Sequence, residues 1–213
     1  MDTDRFNKLP LMGIARGVDA ADIEPLLEAV IEAGLETIEV TMNTSGAAGI
    51  ISKMRAVSNG RIVIGAGTVL SEDELEQVVD AGASFIVLPA FVEEVVRSCV
   101  RKNIPVFPGA LTPQEVLDAW KAGAAMVKVF PSSVFGPGYL KELKGPFNDI
   151  KLMAVGGVRP DNIKEYFSCG ADAVALGGRV FKKEWLAKKD FKSIGKLVAE
   201  YVREVKTARS ENR

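Results

Sequence analysis

The chain has 213 residues, of which 47% are hydrophobic and 26% charged, and its formal net charge at pH 7 is -1. This length suits a single domain, and the even charge balance leaves no basic excess for binding nucleic acid or a membrane surface. The sequence has no histidine, which excludes Ser-His-Asp and Cys-His catalytic systems and the usual zinc sites.

Short apolar strands and amphipathic helices are predicted to alternate along the chain. After a short N-terminal arm or helix over 1–8, the predicted strands cover 9–16, 37–42, 61–65, 85–89, 104–108, the segment around Lys128, 150–155 and 173–176. The predicted helices cover 19–33, 45–57, the segment after Ser71, 92–102, 112–122, 138–143, 161–168 and 191–208. Eight strands alternating with eight helices predict one parallel (β/α)8 TIM barrel over residues 1–213, with a doubly wound open sheet as the alternative.

Two helical segments carry local signals. Ser71 and Glu74 form a capping-box pattern at the start of a helix. A lysine-rich segment, in which basic residues alternate with acidic ones, predicts a solvated helix face. Its lysines are Lys182, Lys183, Lys188 and Lys189.

The cysteines and the N-terminus bear on the compartment. Cys99 and Cys169 lie far apart in helical segments, which favours buried free thiols in a reducing compartment. The N-terminus has no apolar signal core, and no apolar run approaches the length of a membrane span. We therefore expect a cytoplasmic protein with no membrane partner.

One lysine stands in the middle of an apolar run. Lys128 lies within residues 122–131, Ala-Gly-Ala-Ala-Met-Val-Lys-Val-Phe-Pro, a sequence otherwise typical of a buried strand in a parallel sheet. Burial favours the neutral amine of lysine, and a neutral amine attacks carbonyl carbon to form a Schiff base. The alternative is a lysine at a strand end whose ammonium group reaches solvent.

A quasi-repeat places this lysine in the barrel interior. Four glycines each end a helix just before an apolar strand: Gly34, Gly82, Gly123 and Gly170. The residues five positions further on are Glu39, Val87, Lys128 and Ala175. Because alternate strands of a TIM barrel supply the same interior layer, we expect Glu39 and Lys128 to share such a layer.

A carboxylate and a lysine inside one barrel admit two interpretations. One is a structural ion pair, although burying such a pair gains little stability over apolar residues. The other is a lysine-dependent carbonyl enzyme, in which Lys128 forms an iminium with a ketone and Glu39 relays the protons.

Two glycine pairs follow the predicted seventh and eighth strands. Gly156-Gly157 and Gly177-Gly178 lie in the loops where barrels of this kind bind phosphate through backbone N–H groups. Either pair alone indicates only a turn. The two together predict a phosphate site.

Further candidates lie where strands end, on the side of a barrel that carries active sites. Arg16 is suited to a substrate carboxylate or phosphate, or else is an ordinary arginine at the rim. Thr68 is suited to a substrate carboxylate, or else caps a helix. The other candidates at strand ends are Thr41, Asn43, Pro89 and Pro108.

A set of short motifs occurs in order between Leu9 and Phe181. They are Glu39-Val-Thr41, Gly65-Ala-Gly-Thr-Val69, Pro108-Gly109, Lys128-Val-Phe-Pro131, Gly145-Pro-Phe147 and Gly156-Gly157. Together they resemble the KDPG/KHG aldolases, which are class I aldolases for 2-dehydro-3-deoxy-6-phosphogluconate (KDPG) and 4-hydroxy-2-oxoglutarate (KHG).

The resemblance implies a homotrimeric barrel that cleaves KDPG to pyruvate and glyceraldehyde 3-phosphate without a metal or an organic cofactor. It also implies roles for single residues. Lys128 would be the Schiff-base lysine, Glu39 the general acid/base, and Thr68 a ligand of the pyruvyl carboxylate. The two glycine pairs would hold the phosphate of this small phosphorylated keto acid.

Three positions depart from the family pattern. Asn43 stands where an arginine usually binds the carboxylate, Val155 where a threonine is usual, and Gly178 where a serine is common. Asn43 is closer to the branch that acts on the C4 epimer, 2-dehydro-3-deoxy-6-phosphogalactonate (KDPGal), and Arg16 is a candidate to replace the lost carboxylate contact. The alternatives to KDPG cleavage are KDPGal or KHG cleavage, a barrel isomerase or decarboxylase, and a weakly active, repurposed scaffold.

Overall fold

The computed structural model describes residues 3–211, with side chains described for residues 5–211. The predicted N-terminal arm or helix is a helix, α1 (Thr3–Lys8), and the first two positions of that prediction lie outside the described residues. Among the helices within these bounds, none is long and apolar enough to cross a membrane.

The strands of the described chain form one parallel sheet. They are β1 (Leu11–Ala15), β2 (Thr37–Thr41), β3 (Val63–Gly67), β4 (Ile86–Val87), β5 (Val106–Phe107), β6 (Gly109–Ala110), β7 (Val127–Val129), β8 (Leu152–Val155) and β9 (Ala173–Leu176). Their order in space is β5-β4-β3-β2-β1-β9-β8-β7-β6. Because all neighbours are parallel, the carboxyl ends of the strands lie at one edge.

The sheet closes into a barrel at Pro108, the last residue of the predicted fifth strand (104–108), which separates β5 from an additional short strand, β6. These two short strands stand at opposite ends of the sheet order although they are adjacent in the chain. Leu88 N donates a hydrogen bond to the Phe107 carbonyl (3.1 Å), and Lys128 N donates one to the Pro108 carbonyl (2.9 Å). One segment therefore joins β4 to β7, which confirms the predicted barrel and rules out the open sheet.

Helices cover the outside of the barrel. They are α2 (Ile23–Glu32), α3 (Ala47–Ser58), α4 (Glu72–Asp80), α5 (Glu93–Arg101), α6 (Pro113–Lys121), α7 (Gly138–Lys144), α8 (Ile163–Ser168), α9 (Lys183–Ala187) and α10 (Phe191–Glu211), with 3-10 helices at Ala20–Asp22 and Pro160–Asn162. At α4 the Ser71 hydroxyl accepts a hydrogen bond from Glu74 N, as predicted, but the Glu74 carboxylate accepts one from Leu70 N instead of completing the box.

Apolar side chains pack on both sides of the strands. The larger cluster lies between the strands and the helices, and a smaller cluster fills the barrel interior. Helix α1 adds Phe6 to the interior cluster, where its ring meets Phe107 edge-on with the centroids 5.9 Å apart. Val87 and Ala175 also belong to this cluster, as the quasi-repeat predicts for the layer of Glu39.

The two cysteines are free thiols, as expected, but they differ in burial. Cys99 is buried, whereas Cys169 is only partly buried. The prediction that both are buried is therefore wrong for Cys169, the C-cap residue that directly follows α8.

Candidate active site

Glu39 lies in the middle of β2 and points into the barrel. The residue is 1% exposed, and its neighbours in register are Ile14 on β1 and Gly65 on β3. Among the described residues its Oε2 atom has no hydrogen-bond partner. Burial raises the pKa of this carboxyl to about 7, although the positive charges of Lys128 and Arg16 lower it. Near neutral pH the carboxyl is therefore able to give or to take a proton.

Lys128 lies at the centre of β7, between Gly109 on β6 and Met153 on β8. The residue is 6% exposed, and its Nζ atom lies 5.0 Å from the centroid of the Phe130 ring. Burial lowers the pKa of Lys128, while the charge of Glu39 opposes this lowering. The structure thus places the amine inside the barrel, as the quasi-repeat predicts, and not at a solvent-facing strand end.

Glu39 and Lys128 shift each other's pKa without being bonded to each other. Across residues 5–211 neither a hydrogen bond nor an ion pair joins the two side chains. The structural ion pair that the sequence left open is therefore not formed. Two buried, unpaired ionisable groups lower stability, and such an arrangement is typical of a site that carries out chemistry.

A cavity of about 940 Å³ lies at the carboxyl ends of β1, β8 and β9, and its described lining does not include Glu39 or Lys128 themselves. Arg16 and both predicted glycine pairs lie in its wall, and Ile14 extends it toward the barrel interior. Phe130, whose ring lies near the Lys128 amine, also lines it. The cavity therefore connects the predicted phosphate loops with the edge of the lysine site.

The two glycine pairs contribute to this cavity in different ways. Gly156 and Gly157 adopt positive φ angles of 91° and 77°, which residues with a side chain rarely adopt. A Cβ at Gly157 would also lie 2.7 Å from Ser133 Cβ, whereas a Cβ at Gly178 would meet no atom within 4 Å. The first pair is thus required by the path of the backbone, while Gly177 and Gly178 keep the wall open.

Five of the predicted strand-end residues are not in the described lining of this cavity: Thr41, Asn43, Thr68, Pro89 and Pro108. Asn43 is exposed in the turn after β2. Thr68 follows β3 with a φ of 58° and does not cap α4, whose N-cap is Ser71. The carbonyl oxygen of Pro89 lies 2.2 Å from the position that a Cβ on Gly109 would take. Pro89 therefore packs against the backbone next to Lys128.

A threonine that sequence reasoning missed ties Arg16 to the site. Thr44 Oγ1 accepts a hydrogen bond from Gly17 N (3.0 Å) and lies 3.1 Å from Thr41 Oγ1. The loop that follows β1 is thereby fixed to the end of β2, two residues beyond Glu39. The signal available in the sequence was the pair Thr41 and Thr44 on either side of the predicted strand end.

A buried serine, also missed, links the lysine strand to the first glycine pair. Ser132 Oγ donates a hydrogen bond to the Val129 carbonyl (2.7 Å) and accepts one from Val155 N (3.1 Å). Val155 immediately precedes Gly156, so this hydroxyl joins the end of β7 to the start of the glycine loop.

The lysine-rich segment differs from its prediction. Lys183 and Lys189 line the cavity, and Lys182 stacks on Trp185 with Nζ 4.0 Å from the ring centroid. The segment is therefore one wall of the cavity and not only a solvated helix face. Arg179, which directly follows the second glycine pair, also lines the cavity.

Among residues 5–211 no group of three or more His, Cys, Asp or Glu side chains could hold a metal ion. A parallel barrel with a buried amine and a buried carboxyl next to a glycine-lined cavity has the features of an enzyme that acts on carbonyl compounds.

Comparison with known proteins shows which enzyme family this barrel belongs to. A family model for KDPG and KHG aldolase matches residues 3–197. A 2-dehydro-3-deoxy-6-phosphogalactonate aldolase of Escherichia coli is 36% identical over 82% of this chain and 86% of that protein. A 2-dehydro-3-deoxy-phosphogluconate aldolase of Pseudomonas aeruginosa is 34% identical over 80% of this chain and 76% of that protein. The chain belongs to the KDPG and KHG aldolase family, and it is an aldolase, a carbon–carbon lyase.

Solved structures agree with this assignment. A native KDPGal structure aligns with a TM-score of 0.89 and 33% identity, covering 95% of this chain and 97% of that one. A KDPG aldolase from Legionella pneumophila, with pyruvate captured as a covalent carbinolamine intermediate, aligns with a TM-score of 0.84 and 26% identity, covering 91% and 94% of the two chains.

Proposed function

We propose that this aldolase forms a Schiff base between Lys128 and the ketone carbon of a phosphorylated 2-keto-3-deoxy acid. The observation that carries the proposal is the unpaired burial of the Lys128 amine and the Glu39 carboxyl in one barrel interior. Burial lowers the pKa of Lys128 and raises that of Glu39 to about 7, so the neutral amine and the protonated carboxyl both form more readily near neutral pH than they would in water. The covalent pyruvate intermediate in the Legionella pneumophila relative supports the same chemistry.

The first half of the reaction joins the enzyme to the substrate. The neutral Lys128 amine attacks the C2 ketone, and the resulting carbinolamine loses water when Glu39 supplies a proton to the departing hydroxyl. The product is an iminium ion, whose positive nitrogen withdraws electrons from the adjacent carbons.

The second half breaks the carbon chain. Glu39, which has given up its proton, now acts as the base that removes the proton of the C4 hydroxyl. The C3–C4 bond then breaks to leave an aldehyde. The electrons of that bond pass into the iminium and give an enamine. Protonation of C3 and addition of water to the regenerated iminium release pyruvate and free Lys128.

The glycine loops are the proposed site of the substrate's phosphate. Gly156, Gly157, Gly177 and Gly178 share one cavity wall with Arg16, and backbone N–H groups of such loops bind phosphate in barrels. Arg16 is placed to bind either the phosphate or, in place of an arginine at position 43, the carboxylate. The proposed roles of Thr68 as a carboxylate ligand and of Asn43 and Pro89 in binding rest on their positions at strand ends.

The C4 configuration of the substrate has two candidates. KDPG is the substrate that the family resemblance implies most directly, and the Pseudomonas aeruginosa relative named for it is 34% identical. KDPGal is favoured by Asn43 and by the 36% identity to the Escherichia coli enzyme named for that substrate. Measuring kcat/KM for the two pure epimers, with KHG as a substrate without phosphate, decides between them. Negligible turnover of all three substrates would favour the weakly active, repurposed scaffold.

Trapping the iminium tests the mechanism. Incubation with pyruvate and borohydride should add a reduced pyruvyl group to Lys128, as found by peptide mass analysis. The Lys128→Met variant should lose both the adduct and cleavage, while Lys151→Met, which removes an exposed lysine beside β8, should retain both. Full activity without an adduct would indicate an isomerase-like use of the lysine as an acid. Since the mechanism needs no metal, chelator should leave the rate unchanged.

The assembly is proposed to be a homotrimer, as the family resemblance implies. A related solved chain belongs to a cage designed by fusing symmetric oligomeric domains; it aligns with a TM-score of 0.90 and 32% identity, covering 96% of this chain and 75% of that one. Sedimentation equilibrium should give about three times the chain mass of 22.9 kDa. A mass equal to that of one chain would contradict the trimer.

A further inference from the structure

We infer that Arg179 and Lys183 recognise the substrate's phosphate as a dianion and so set the preference for phosphorylated substrates. This inference rests on the proposed function, and it assigns to two side chains a role beyond that of the glycine loops. Both residues line the cavity that contains the glycine pairs, and both are exposed to the solvent that fills it.

The chain path brings both cations to the phosphate loops. Arg179 follows Gly178 directly, and Lys183 begins α9 (Lys183–Ala187), which forms the outer wall of the cavity. Two residues of the 3-10 helix Ala20–Asp22, Ala21 and Asp22, also line the cavity. An anion held at the glycine loops would therefore share this cavity with the two cations.

The charge in the cavity wall is unbalanced. Its cations are Arg16, Arg179, Lys183 and Lys189, and its acids are Asp19 and Asp22. Lys189 Nζ is bound to Asp22 Oδ1 at 2.7 Å, and Asp19 accepts a hydrogen bond from Ala21 N at 2.8 Å. Among the described residues no carboxylate pairs with Arg16, Arg179 or Lys183, so their charges remain available for an anion.

Arg179 also lies near the first glycine loop. The Tyr201 hydroxyl donates a hydrogen bond to the Val158 carbonyl (2.8 Å), one residue after Gly157. The Arg179 charge reaches this hydroxyl and lowers its pKa, although burial raises that pKa overall to about 12. The charge of Arg179 therefore acts on a hydroxyl that is hydrogen-bonded to the loop after β8.

The loop tip itself offers no polar side chain. Gly178 has no side chain, and the space that its Cβ would occupy is empty to 4 Å. A phosphate here would be bound by backbone N–H groups, which carry no net charge. The second negative charge is then recognised by the neighbouring guanidinium and ammonium groups.

Aldol synthesis from pyruvate tests the inference because the acceptor aldehyde can be used with or without phosphate. Arg179→Gln and Lys183→Met should each lower kcat/KM for glyceraldehyde 3-phosphate by about tenfold, and the double variant by about a hundredfold. With glyceraldehyde all three should stay within about twofold of the wild type. Inorganic phosphate should inhibit the wild type more strongly than the double variant.

Lys188→Met is the matched control, because Lys188 ends the same helix but does not line the described cavity. The Lys188→Met variant should leave kcat/KM unchanged for both glyceraldehyde 3-phosphate and glyceraldehyde. Equal losses on both aldehydes, or no loss with glyceraldehyde 3-phosphate, would overturn the inference. Pyruvate trapping on Lys128 in the wild type and in each variant reports the Schiff base separately. If the adduct forms normally but the variants lose no preference for glyceraldehyde 3-phosphate over glyceraldehyde, only the phosphate role is refuted. If the wild type forms no adduct, the proposed function is refuted and the inference with it.

Discussion

The Glu39 carboxylate occupies the space that a side chain at Gly67 would need. A Cβ built on Gly67 would lie 2.3 Å from Glu39 Oε1 and 2.5 Å from Glu39 Cδ. Gly67 ends β3, the strand next to β2, where it is paired with Thr41. Because Gly67 has no side chain, the Glu39 carboxylate can lie against the end of β3 inside the barrel.

Gly67→Ala should displace the Glu39 carboxylate and lower kcat. A displacement of about 1 Å in a catalytic group commonly costs on the order of a hundredfold in rate, so we expect a decrease of roughly 10- to 100-fold. Pyruvate trapping on Lys128 should persist, though more slowly. Steady-state cleavage and the trapping rate, measured on the same preparations, check this prediction.

Gly49→Ala is its matched control. Gly49 lies in α3, is exposed, and has no atom within 4 Å of the position of its Cβ. Alanine in a helix interior is more favourable than glycine by about 1 kcal/mol, so this variant should be slightly more stable and fully active. Wild-type kcat in Gly67→Ala would mean that the Glu39 carboxylate moves without loss of function.

The raised pKa of Glu39 predicts that this residue destabilises the fold at higher pH. Its pKa is about 7 in the folded chain against 4.5 for the ordinary carboxyl. Between these values the folded state holds more protons than the unfolded state, so stability falls as the pH rises through that window. The loss is absent below the lower value and complete above the upper one, where it amounts to about 3 kcal/mol.

Glu39→Gln removes this titration while keeping the shape of the side chain. Its free energy of unfolding should match that of the wild type near pH 4.5 and exceed it by about 3 kcal/mol above pH 7. Urea unfolding of both proteins at several pH values gives the difference, in which the other titrating groups cancel. A difference that does not change with pH would show that folding does not raise the pKa of Glu39. Cleavage should be lost at every pH because the amide cannot relay protons.

The alternation of elements could be predicted from the sequence because each buried parallel strand is a short apolar run and each helix carries its own boundary signals. The interruption between β5 and β6 at Pro108 could not be predicted. Proline lacks an N–H donor, but whether a strand can do without that donor depends on which strands lie beside it. Here the carbonyl of Pro108 still bonds to Lys128 N, so the barrel closes across the interruption.

The inward direction of Glu39 and Lys128 could also be predicted, because side chains alternate along a strand and the glycine repeat fixes the register. The roles of Gly67 and Ser132 could not, since they depend on how closely separate strands approach. The lysine-rich segment shows the same limit. Its charges predict a solvated face, and only the folded chain reveals that Lys183 and Lys189 line a cavity.

Gly109→Ala should disturb the barrel beside Lys128. Its Cβ would lie 2.2 Å from the Pro89 carbonyl oxygen, which is backbone and cannot rotate away. Overpacking of this kind costs about 1–3 kcal/mol, and because Gly109 is paired with Lys128 the trapping rate should fall as well. Gly178→Ala, where the Cβ meets no atom within 4 Å, should leave stability unchanged. Thermal unfolding and pyruvate trapping compare the two variants, and equal stability of both would contradict the close approach.

Ser132→Ala should loosen the first glycine loop without harming the lysine. The change leaves Val155 N buried without the hydroxyl that it bonds at 3.1 Å, which costs about 1–3 kcal/mol. Gly156 follows Val155, so KM for the phosphorylated substrate should rise while pyruvate trapping on Lys128 stays at the wild-type rate. Ser133→Ala is the control, since Ser133 is exposed and its Cβ, which contacts the Gly157 backbone region, is retained. An equal loss of trapping and of phosphorylated-substrate turnover in Ser132→Ala would show that this hydroxyl supports the lysine strand and not the loop.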